Sequence, residues 1–227
     1  MIRAVLIDLD GTLMDTVPDL AEAANRMRAD FNLPPLPQAR IAAFVGKGAD
    51  VLVHRSLTDD LDGQAATGDF ARGRASFYRH YHATNGESAV VFHHVPEALR
   101  QLRACGIRLA CVTNKPREFT LPLLDRVALA RWFDEVVAGD DVKEKKPHPA
   151  LLLAACDRLG VTPADALMIG DSINDALAAR AAGCGVVLVE TGYNEGEHVG
   201  TLAGQAGVFA IVPTLLDAAQ TVQKLIH

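Results

Sequence analysis

Short apolar runs that end in polar, turn-forming residues constrain this chain more than any other feature. Five such runs are predicted to be β-strands, at residues 4–7, 108–112, 135–137, 166–169 and 186–189. They are mostly continuous in apolar residues, which is typical of strands buried on both faces of a parallel sheet. Helical patterns that end at a glycine lie among them, at residues 96–105, 149–159 and 172–182. This alternation predicts right-handed βαβ units and an α/β fold with a doubly wound parallel sheet.

One region interrupts the alternation between the first strand and the rest of the sheet. Residues 18 to about 86 carry helical patterns and no convincing strand, and prolines and glycines such as Pro34, Pro35 and Gly63 punctuate them. We interpret this region as a small inserted α-helical domain. The predicted domains are therefore an α/β core at 1–16 and 87–227 and a helical insertion at 17–86.

Charge and cysteine usage exclude several classes of function. The 227 residues carry a formal net charge of -6, whereas a nucleic-acid binder needs a field of lysines and arginines. No uninterrupted apolar run reaches the ~18 residues that a membrane span needs. The four cysteines are scattered in apolar segments without a CxxC pair, which favours reduced thiols in a cytoplasmic protein. We expect a monomer or homodimer that binds neither nucleic acid nor membrane.

The first polar cluster follows the first predicted strand and contains Asp8, Asp10, Gly11 and Thr12. Residues two apart on a strand point to the same side, so both carboxylates approach one space if the strand persists through Asp10. Their repulsion is relieved by a divalent cation that prefers oxygen ligands, such as Mg²⁺. Gly11 permits a tight turn, and Thr12 offers a hydroxyl and an amide to a phosphate oxygen. Taken alone, the two aspartates could equally end a strand and cap the next helix.

Two further clusters offer donors to a phosphate group. Thr113 and Asn114 follow another predicted strand and begin a helix, where side chains and free amides can hold a phosphate; an ordinary polar loop would look the same. Lys146 stands directly before Pro147, in a Pro-x-Pro turn that precedes a helix. The prolines restrict the backbone around Lys146, which sets it apart from the lysines at 143 and 145.

The fourth cluster contains Asp171, at the end of a predicted strand, and Asp175, four residues later. Both can face one site from the first turn of a helix, although negative charge at a helix N-terminus would also explain either one. All four clusters follow strands of one parallel sheet. We therefore expect them to meet at the sheet edge where α/β folds bind ligands.

With these motifs in this order, the chain resembles the phosphatases of the haloacid dehalogenase superfamily over its whole length. The resemblance implies a Rossmann-like core, with the insertion at 17–86 as the family's mobile cap. It implies that Asp8 is the nucleophile and Asp10 the general acid and base. It also implies a Mg²⁺ ion held by the side chains of Asp8 and Asp171 and by the backbone carbonyl of Asp10.

The same resemblance assigns the remaining motif residues. Thr113, Asn114 and Lys146 are expected to bind the transferring phosphoryl group, and Asp175 to orient Lys146 or a metal-bound water. The reaction implied is hydrolysis of a phosphate monoester through an aspartyl-phosphate. Asp10 disfavours dehalogenases and carbon–phosphorus lyases, whose members lack it. A phosphosugar mutase and a phospho-aspartate signalling module stay open as alternatives.

The loop from Phe44 to Asp50 resembles the cap loop of phosphoglycolate phosphatases. Gly46 and Gly48 permit a tight loop with free amides, and Lys47 between them could meet a substrate carboxylate or could equally be a solvated lysine. Lys47 stands where that family usually has asparagine. The expected partner is a small phosphorylated metabolite, 2-phosphoglycolate first among the candidates and other phosphate esters next.

Overall fold

Six parallel strands form the central sheet of the computed structural model, which describes residues 1–205 and 207–226. The predicted core range 87–227 also includes Ala206 and His227, which lie outside the described residues. The strands are β1 (Ala4–Ile7), β4 (Arg108–Val112), β5 (Glu135–Val137), β6 (Ala166–Gly170), β7 (Gly185–Val189) and β8 (Val208–Val212). Their order across the sheet is β5-β4-β1-β6-β7-β8. The five predicted strands and the doubly wound α/β class are confirmed, and β8 is an edge strand that the prediction missed.

Two very short strands lie outside this sheet. They are β2 (Met14–Asp15) and β3 (Val90–Val91), and they pair antiparallel with each other. Both lie where the chain passes between the sheet and the inserted helical region.

Nine α-helices are present in the described residues. They are α1 (Val17–Asp30), α2 (Gln38–Ala42), α3 (Ala49–Thr58), α4 (Thr67–Thr84), α5 (Val95–Ala104), α6 (Arg117–Arg126), α7 (Ala150–Leu159), α8 (Ile173–Ala182) and α9 (Leu215–Ile226). The three predicted core helices correspond to α5, α7 and α8 within two residues at each end. No helix in the described ranges combines the length and apolar character needed to cross a bilayer.

Helices cover both faces of the sheet, so most side chains on both faces of its strands are buried and apolar. Alternate residues of β1 point to opposite sides: Val5 and Ile7 pack in the cluster that includes α5 and α9, and Ala4 and Leu6 pack in the one that includes α7 and α8. All four residues are fully buried. This two-sided burial is why the strands read as continuous apolar runs.

Residues 17–86, all of which the structure describes, contain α1 to α4 and no strand. These helices share a hydrophobic cluster in which Phe44, Phe77 and Tyr81 are buried, and Phe119 of α6 also packs in it. The buried carboxylate of Asp19 accepts backbone N–H bonds from Gly86, Ser88 and Ala89, at 2.7, 2.7 and 3.2 Å. These bonds hold the start of α1 to the segment by which the chain returns to the sheet. The exact division of the chain into core and cap stays a prediction.

Candidate active site

The strand order reverses direction at β1, and the polar clusters lie beyond the carboxyl ends of β1, β4 and β6. Such a switch point opens a crevice because the connections on its two sides run to opposite faces of the sheet. β1 ends at Ile7, but the Asp8 amide still bonds to the Ile169 carbonyl at 2.9 Å, which fixes the start of the turn. Gly11 has φ +84°, and a Cβ there would lie 2.6 Å from Asp171 Oδ2. Only glycine allows both this turn and this approach.

Lys146 is the centre of a buried ion cluster. Its Nζ lies 2.7 Å from Asp175 Oδ1, 2.9 Å from Asp8 Oδ1 and 2.9 Å from the Val112 carbonyl. Burial lowers the pKa of Lys146, but the charges of Asp175 and Asp8 outweigh burial and hold its pKa above the usual value. Lys146 is therefore a permanent cation beside Asp8.

Asp175 has two partners, one for each carboxylate oxygen. Oδ1 accepts from Lys146, and Oδ2 accepts from the amide and hydroxyl of Ser172 at 3.2 and 2.8 Å, which forms the N-terminal capping box of α8. Position 170 requires glycine, because a Cβ there would lie 2.2 Å from Asp175 Cγ. The helix cap therefore also sets the position of Lys146.

Asp171 is held by the loop that follows β7. Its Oδ2 accepts the backbone N–H of Tyr193 at 3.0 Å, and its Oδ1 accepts the Thr12 hydroxyl at 3.1 Å. A Cβ at Gly192 would lie 1.8 Å from Asp171 Oδ2. Burial, reinforced by the charges of Asp175 and Asp8, raises the pKa of Asp171 well above its usual value.

The carboxylates of Asp8, Asp171 and Asp175 fit a metal ion. Oxygen atoms of all three lie within 4.8 Å of one another. Asp8 Oδ1 is buried and makes no hydrogen bond of acceptable geometry among the described residues, despite its ion pair with Lys146. Burial raises the pKa of Asp8 to about 7, and the Lys146 charge limits this rise. A cation would favour the ionised form of these crowded acids. Asp8 and Asp171 line the cavity beside them, whereas Asp175 is fully buried and does not line it.

Asp10 has two partners that the sequence interpretation missed. Its Oδ1 accepts the Lys115 ammonium at 2.8 Å and the Thr16 hydroxyl at 2.6 Å. Lys115 is buried; burial lowers its pKa, but the Asp10 charge more than compensates and holds the pKa above the usual value. The sequence did offer one indication that Lys115 belongs to the site: it follows Asn114 directly, in the polar segment after β4.

The structure gives the predicted phosphate ligands Thr113 and Asn114 partners inside the protein. The Asn114 amide donates to the backbone carbonyls of Gly46 and Lys146, both at 2.8 Å, and its oxygen accepts the Lys146 amide at 2.8 Å. The Thr113 hydroxyl accepts the Lys115 amide at 3.2 Å. Asn114 thus joins the loop near Gly46 to the segment that carries Lys146. A phosphate-binding role for either side chain stays a prediction.

Lys47 has a carboxylate partner within the chain. Its Nζ lies 2.8 Å from Glu195 Oε1, and the same oxygen lies 2.7 Å from the buried guanidinium of Arg55. Burial raises the pKa of Glu195, but its bonds to Lys47 and Arg55 outweigh burial and keep that pKa below the usual value. Lys47 is not among the residues that line the cavity beside Asp8. Its predicted contact with substrate is therefore untested, and its charge is already matched.

The cavity beside Asp8 has walls from both parts of the chain. The strand-end side contributes residues of three of the four polar clusters, all but the one that contains Lys146; they include Asp8, Asp10, Thr113, Asn114, Lys115, Asp171 and Ser172. The helical side contributes mostly apolar residues, namely Leu20, Val45, Gly46, Gly48, Ala49, Leu52, Phe77 and Tyr81. A ligand here would contact charged groups at one end and apolar groups, with one phenol, at the other.

Comparison with known proteins gives consistent matches. The model of the haloacid dehalogenase-like hydrolases matches residues 2–183. Phosphoglycolate phosphatase of Nitrosospira multiformis is 49% identical over 223 residues, which are 98% of this chain and 96% of that protein. The enzyme of the same name from Thiobacillus denitrificans is 43% identical with the same coverage. The crystal structure of a predicted phosphoglycolate phosphatase from Haemophilus somnus superposes with a TM-score of 0.88 at 32% identity, covering 98% of both chains.

Proposed function

This chain belongs to the haloacid dehalogenase-like hydrolases, and we propose that it is a Mg²⁺-dependent phosphatase that hydrolyses 2-phosphoglycolate to glycolate and inorganic phosphate. One observation carries the reaction type: the carboxylate of Asp8 lines the cavity with the Lys146 ammonium 2.9 Å away. The substrate rests on the names of the relatives.

We assign the metal to Asp8 and Asp171 through their carboxylates and to Asp10 through its backbone carbonyl. These are hard oxygen ligands of the kind that Mg²⁺ prefers. When bound, Mg²⁺ supplies positive charge that offsets the negative charge of the nucleophile and of the phosphate oxygens. Lys146 contributes a second positive charge, fixed by Asp175 and the Val112 carbonyl.

In the first half-reaction, an oxygen of Asp8 attacks the phosphorus atom and the bond from phosphorus to the ester oxygen breaks. Negative charge builds on the leaving oxygen, and Asp10 donates a proton to it. The Lys115 and Thr16 bonds both reach Oδ1 of Asp10. Oδ2 is therefore the oxygen that carries the proton in this proposal. The products of this step are the free alcohol and an aspartyl-phosphate on Asp8.

In the second half-reaction, a water molecule attacks the phosphorus atom of the aspartyl-phosphate. Asp10, now ionised, accepts a proton from that water, and the bond from phosphorus to the Asp8 oxygen breaks. Inorganic phosphate leaves, and both aspartates return to their starting states. One carboxyl group thus serves as acid and then as base.

We further propose that residues 17–86 act as a cap over this site. The support is the cavity wall: Leu20, Val45, Phe77 and Tyr81 line it from the helical region, and the short pair β2–β3 marks the two crossings. We also propose that the protein works in a reducing cytoplasm, which the free thiols of its four cysteines support.

The test is a panel of phosphate esters assayed for phosphate release, with Mg²⁺ or with EDTA. We expect Mg²⁺-dependent release that is fastest, by kcat/KM, with 2-phosphoglycolate. Asp8→Asn should abolish turnover, whereas Asp69→Asn, an exposed aspartate on α4, should retain it. Undiminished turnover in Asp8→Asn would refute the mechanism.

Product analysis by phosphorus NMR separates the alternatives. A phosphosugar mutase would isomerise its substrate and release little phosphate. A signalling module would hold a long-lived aspartyl-phosphate. Another preferred ester in the panel would leave the phosphatase assignment in place and replace 2-phosphoglycolate as the substrate.

A further inference from the structure

Lys115 lies in the wall of the active-site cavity, directly beside Asp10. Its side chain is 3% exposed, and its Nζ bonds to Asp10 at 2.8 Å. The same Nζ lies 5.0 Å from the ring centroid of Tyr81 in α4. Lys115 thus places a positive charge between the acid that protonates the leaving group and the helical wall.

Other basic residues near the site have their charges matched elsewhere. Lys146 has three oxygen partners for its three N–H groups, and Lys47 and Arg55 share the carboxylate of Glu195. Among the described residues that line the cavity, Lys115 is the single cationic side chain. An ammonium carries three donors, and Asp10 takes one of them. Lys115 therefore retains donors for a ligand.

Tyr81 provides an independent indication of a ligand at the same place. It is 1% exposed and lines the cavity, yet its hydroxyl makes no hydrogen bond of good geometry within the part of the chain that the structure describes, although the Lys115 ammonium lies near it. Burial raises the pKa of Tyr81, so the phenol keeps its proton and is a donor. A buried hydroxyl without a partner costs stability unless a ligand supplies one.

We propose that Lys115 and Tyr81 together bind the carboxylate of the substrate and select phosphate esters with an acid group on the adjacent carbon. The proposal rests on the proposed phosphatase reaction at Asp8 and goes on to name the group recognised. In 2-phosphoglycolate, the carboxylate carbon is two bonds from the ester oxygen. The ester oxygen must meet Asp10 to receive its proton, so the carboxylate reaches the neighbour of Asp10, which is Lys115.

A purely structural role for Lys115 makes a different prediction. If the ammonium only positions Asp10, its loss slows protonation of every leaving group to a similar extent. If it binds the carboxylate, its loss penalises the acidic substrate above a neutral one. The comparison therefore needs two esters that differ only in this group, and 2-phosphoglycolate and ethyl phosphate are such a pair.

The experiment measures kcat and KM of the full-length protein for both esters with saturating Mg²⁺. The quantity of interest is the ratio of the two kcat/KM values. We expect Lys115→Met to lower this ratio by at least about tenfold, the size of effect expected for a lost bond to a charged group. Lys115→Arg should restore part of it. Lys143→Met, whose side chain is 93% exposed, is the matched control and should leave the ratio unchanged.

Tyr81→Phe provides a second arm that keeps Lys115 and Asp10 in place. It removes only an oxygen that makes no hydrogen bond of good geometry within the described part of the protein, so the folded state should lose little stability. We expect the ratio to fall by about fivefold or more, mainly through KM for 2-phosphoglycolate. This arm carries the test if Lys115→Met fails to fold.

Three results would overturn the proposal. Equal losses for both esters in Lys115→Met and Tyr81→Phe would reduce Lys115 to a positioning residue of Asp10. If the ratio of the kcat/KM values fell in Lys47→Met but not in Lys115→Met, Lys47 and not Lys115 would bind the substrate carboxylate. A wild-type protein that does not prefer 2-phosphoglycolate would remove the proposed substrate and this assignment with it, and that failure is visible before any variant is made.

Discussion

The ion cluster around Lys146 makes a quantitative prediction about the variant Asp175→Asn. Asp175 is fully buried and Lys146 is 2% exposed, with Nζ and Oδ1 2.7 Å apart. Asparagine keeps the volume of the side chain but has one oxygen where aspartate has two. Either its NH₂ faces the Lys146 ammonium or it faces the donors of Ser172, so one donor must meet another donor.

The size of the effect follows from what remains in place. Breaking a buried ion pair costs about 3–5 kcal/mol. Asp8 stays as a counterion of Lys146, 2.9 Å away, so we expect the lower end, about 3 kcal/mol. For a chain of 227 residues, each kcal/mol shifts Tm by about 2–4 °C. Asp175→Asn should therefore lower Tm by about 6–12 °C, measured by calorimetry without divalent metal.

The chain offers a matched control in a second capping box. At the start of α9, Asp217 Oδ2 accepts the amide of Thr214 at 3.1 Å and its hydroxyl at 2.6 Å, which are the bonds that Asp175 makes to Ser172. No salt bridge involves Asp217 among the described residues. Asp217→Asn should cost no more than about 1 kcal/mol. If Asp175→Asn loses no more than Asp217→Asn, the bond to Lys146 does not stabilise the fold as argued.

Two further predictions concern the acidic cluster. Burial raises the folded-state pKa of Asp8 from 3.8 to about 7, so the folded protein binds this proton more tightly than the unfolded chain. The resulting stability is fully present below pH about 4 and is lost as the pH rises through about 7; in EDTA, Tm should fall over this interval, and less steeply in Asp8→Asn. Gly192→Ala would place a Cβ 1.8 Å from Asp171 Oδ2. The carboxylate must move, and Mg²⁺ affinity, measured by titration calorimetry, should fall by about 10–100-fold.

Each of these two predictions has its own contrary outcome. A pH slope of stability that is the same in wild type and Asp8→Asn would place the responsible proton on another group. For the glycine variant, Gly68→Ala is the control, since a Cβ there meets nothing within 4 Å. Equal Mg²⁺ affinities of the Gly192 and Gly68 variants would show that Asp171 does not hold the metal.

The parts of the site that could be predicted from sequence are those governed by topology. Asp8, Asp171 and Lys146 are far apart in the chain, but two follow strands directly and the third precedes a helix that packs on the same sheet. Parallel strands bring their carboxyl ends to one edge regardless of loop detail. Strand β8 carried the same signal, since residues 208–212 are all apolar. Because β8 lies at the sheet edge, Phe209 is 57% exposed. The run of apolar residues was nevertheless sufficient to predict a strand there.

The parts that could not be predicted depend on the direction of single side chains in a turn. Thr113, Asn114 and Lys115 are consecutive and polar, and the alternation that assigns faces in a strand stops where the strand ends. In the structure, Asn114 points to the backbone of Gly46 and Lys146, and Lys115 points to Asp10. The direction of each side chain depends on partners in other parts of the chain, and the local sequence pattern does not identify those partners.

The two lysines that could meet a substrate carboxylate show the same dependence on distant partners. Lys47 has the more suggestive sequence, between two glycines in a loop that resembles a known cap loop. Glu195, 148 residues away, bonds its ammonium at 2.8 Å and also holds the buried Arg55, so a substrate would have to compete with a carboxylate already in place. Lys115 also has a carboxylate partner, but that partner is Asp10, which we propose as the acid and base of the reaction. Of these two lysines, Lys115 lines the cavity beside Asp8 and Lys47 does not, which is why we propose Lys115 as the one that meets the substrate carboxylate.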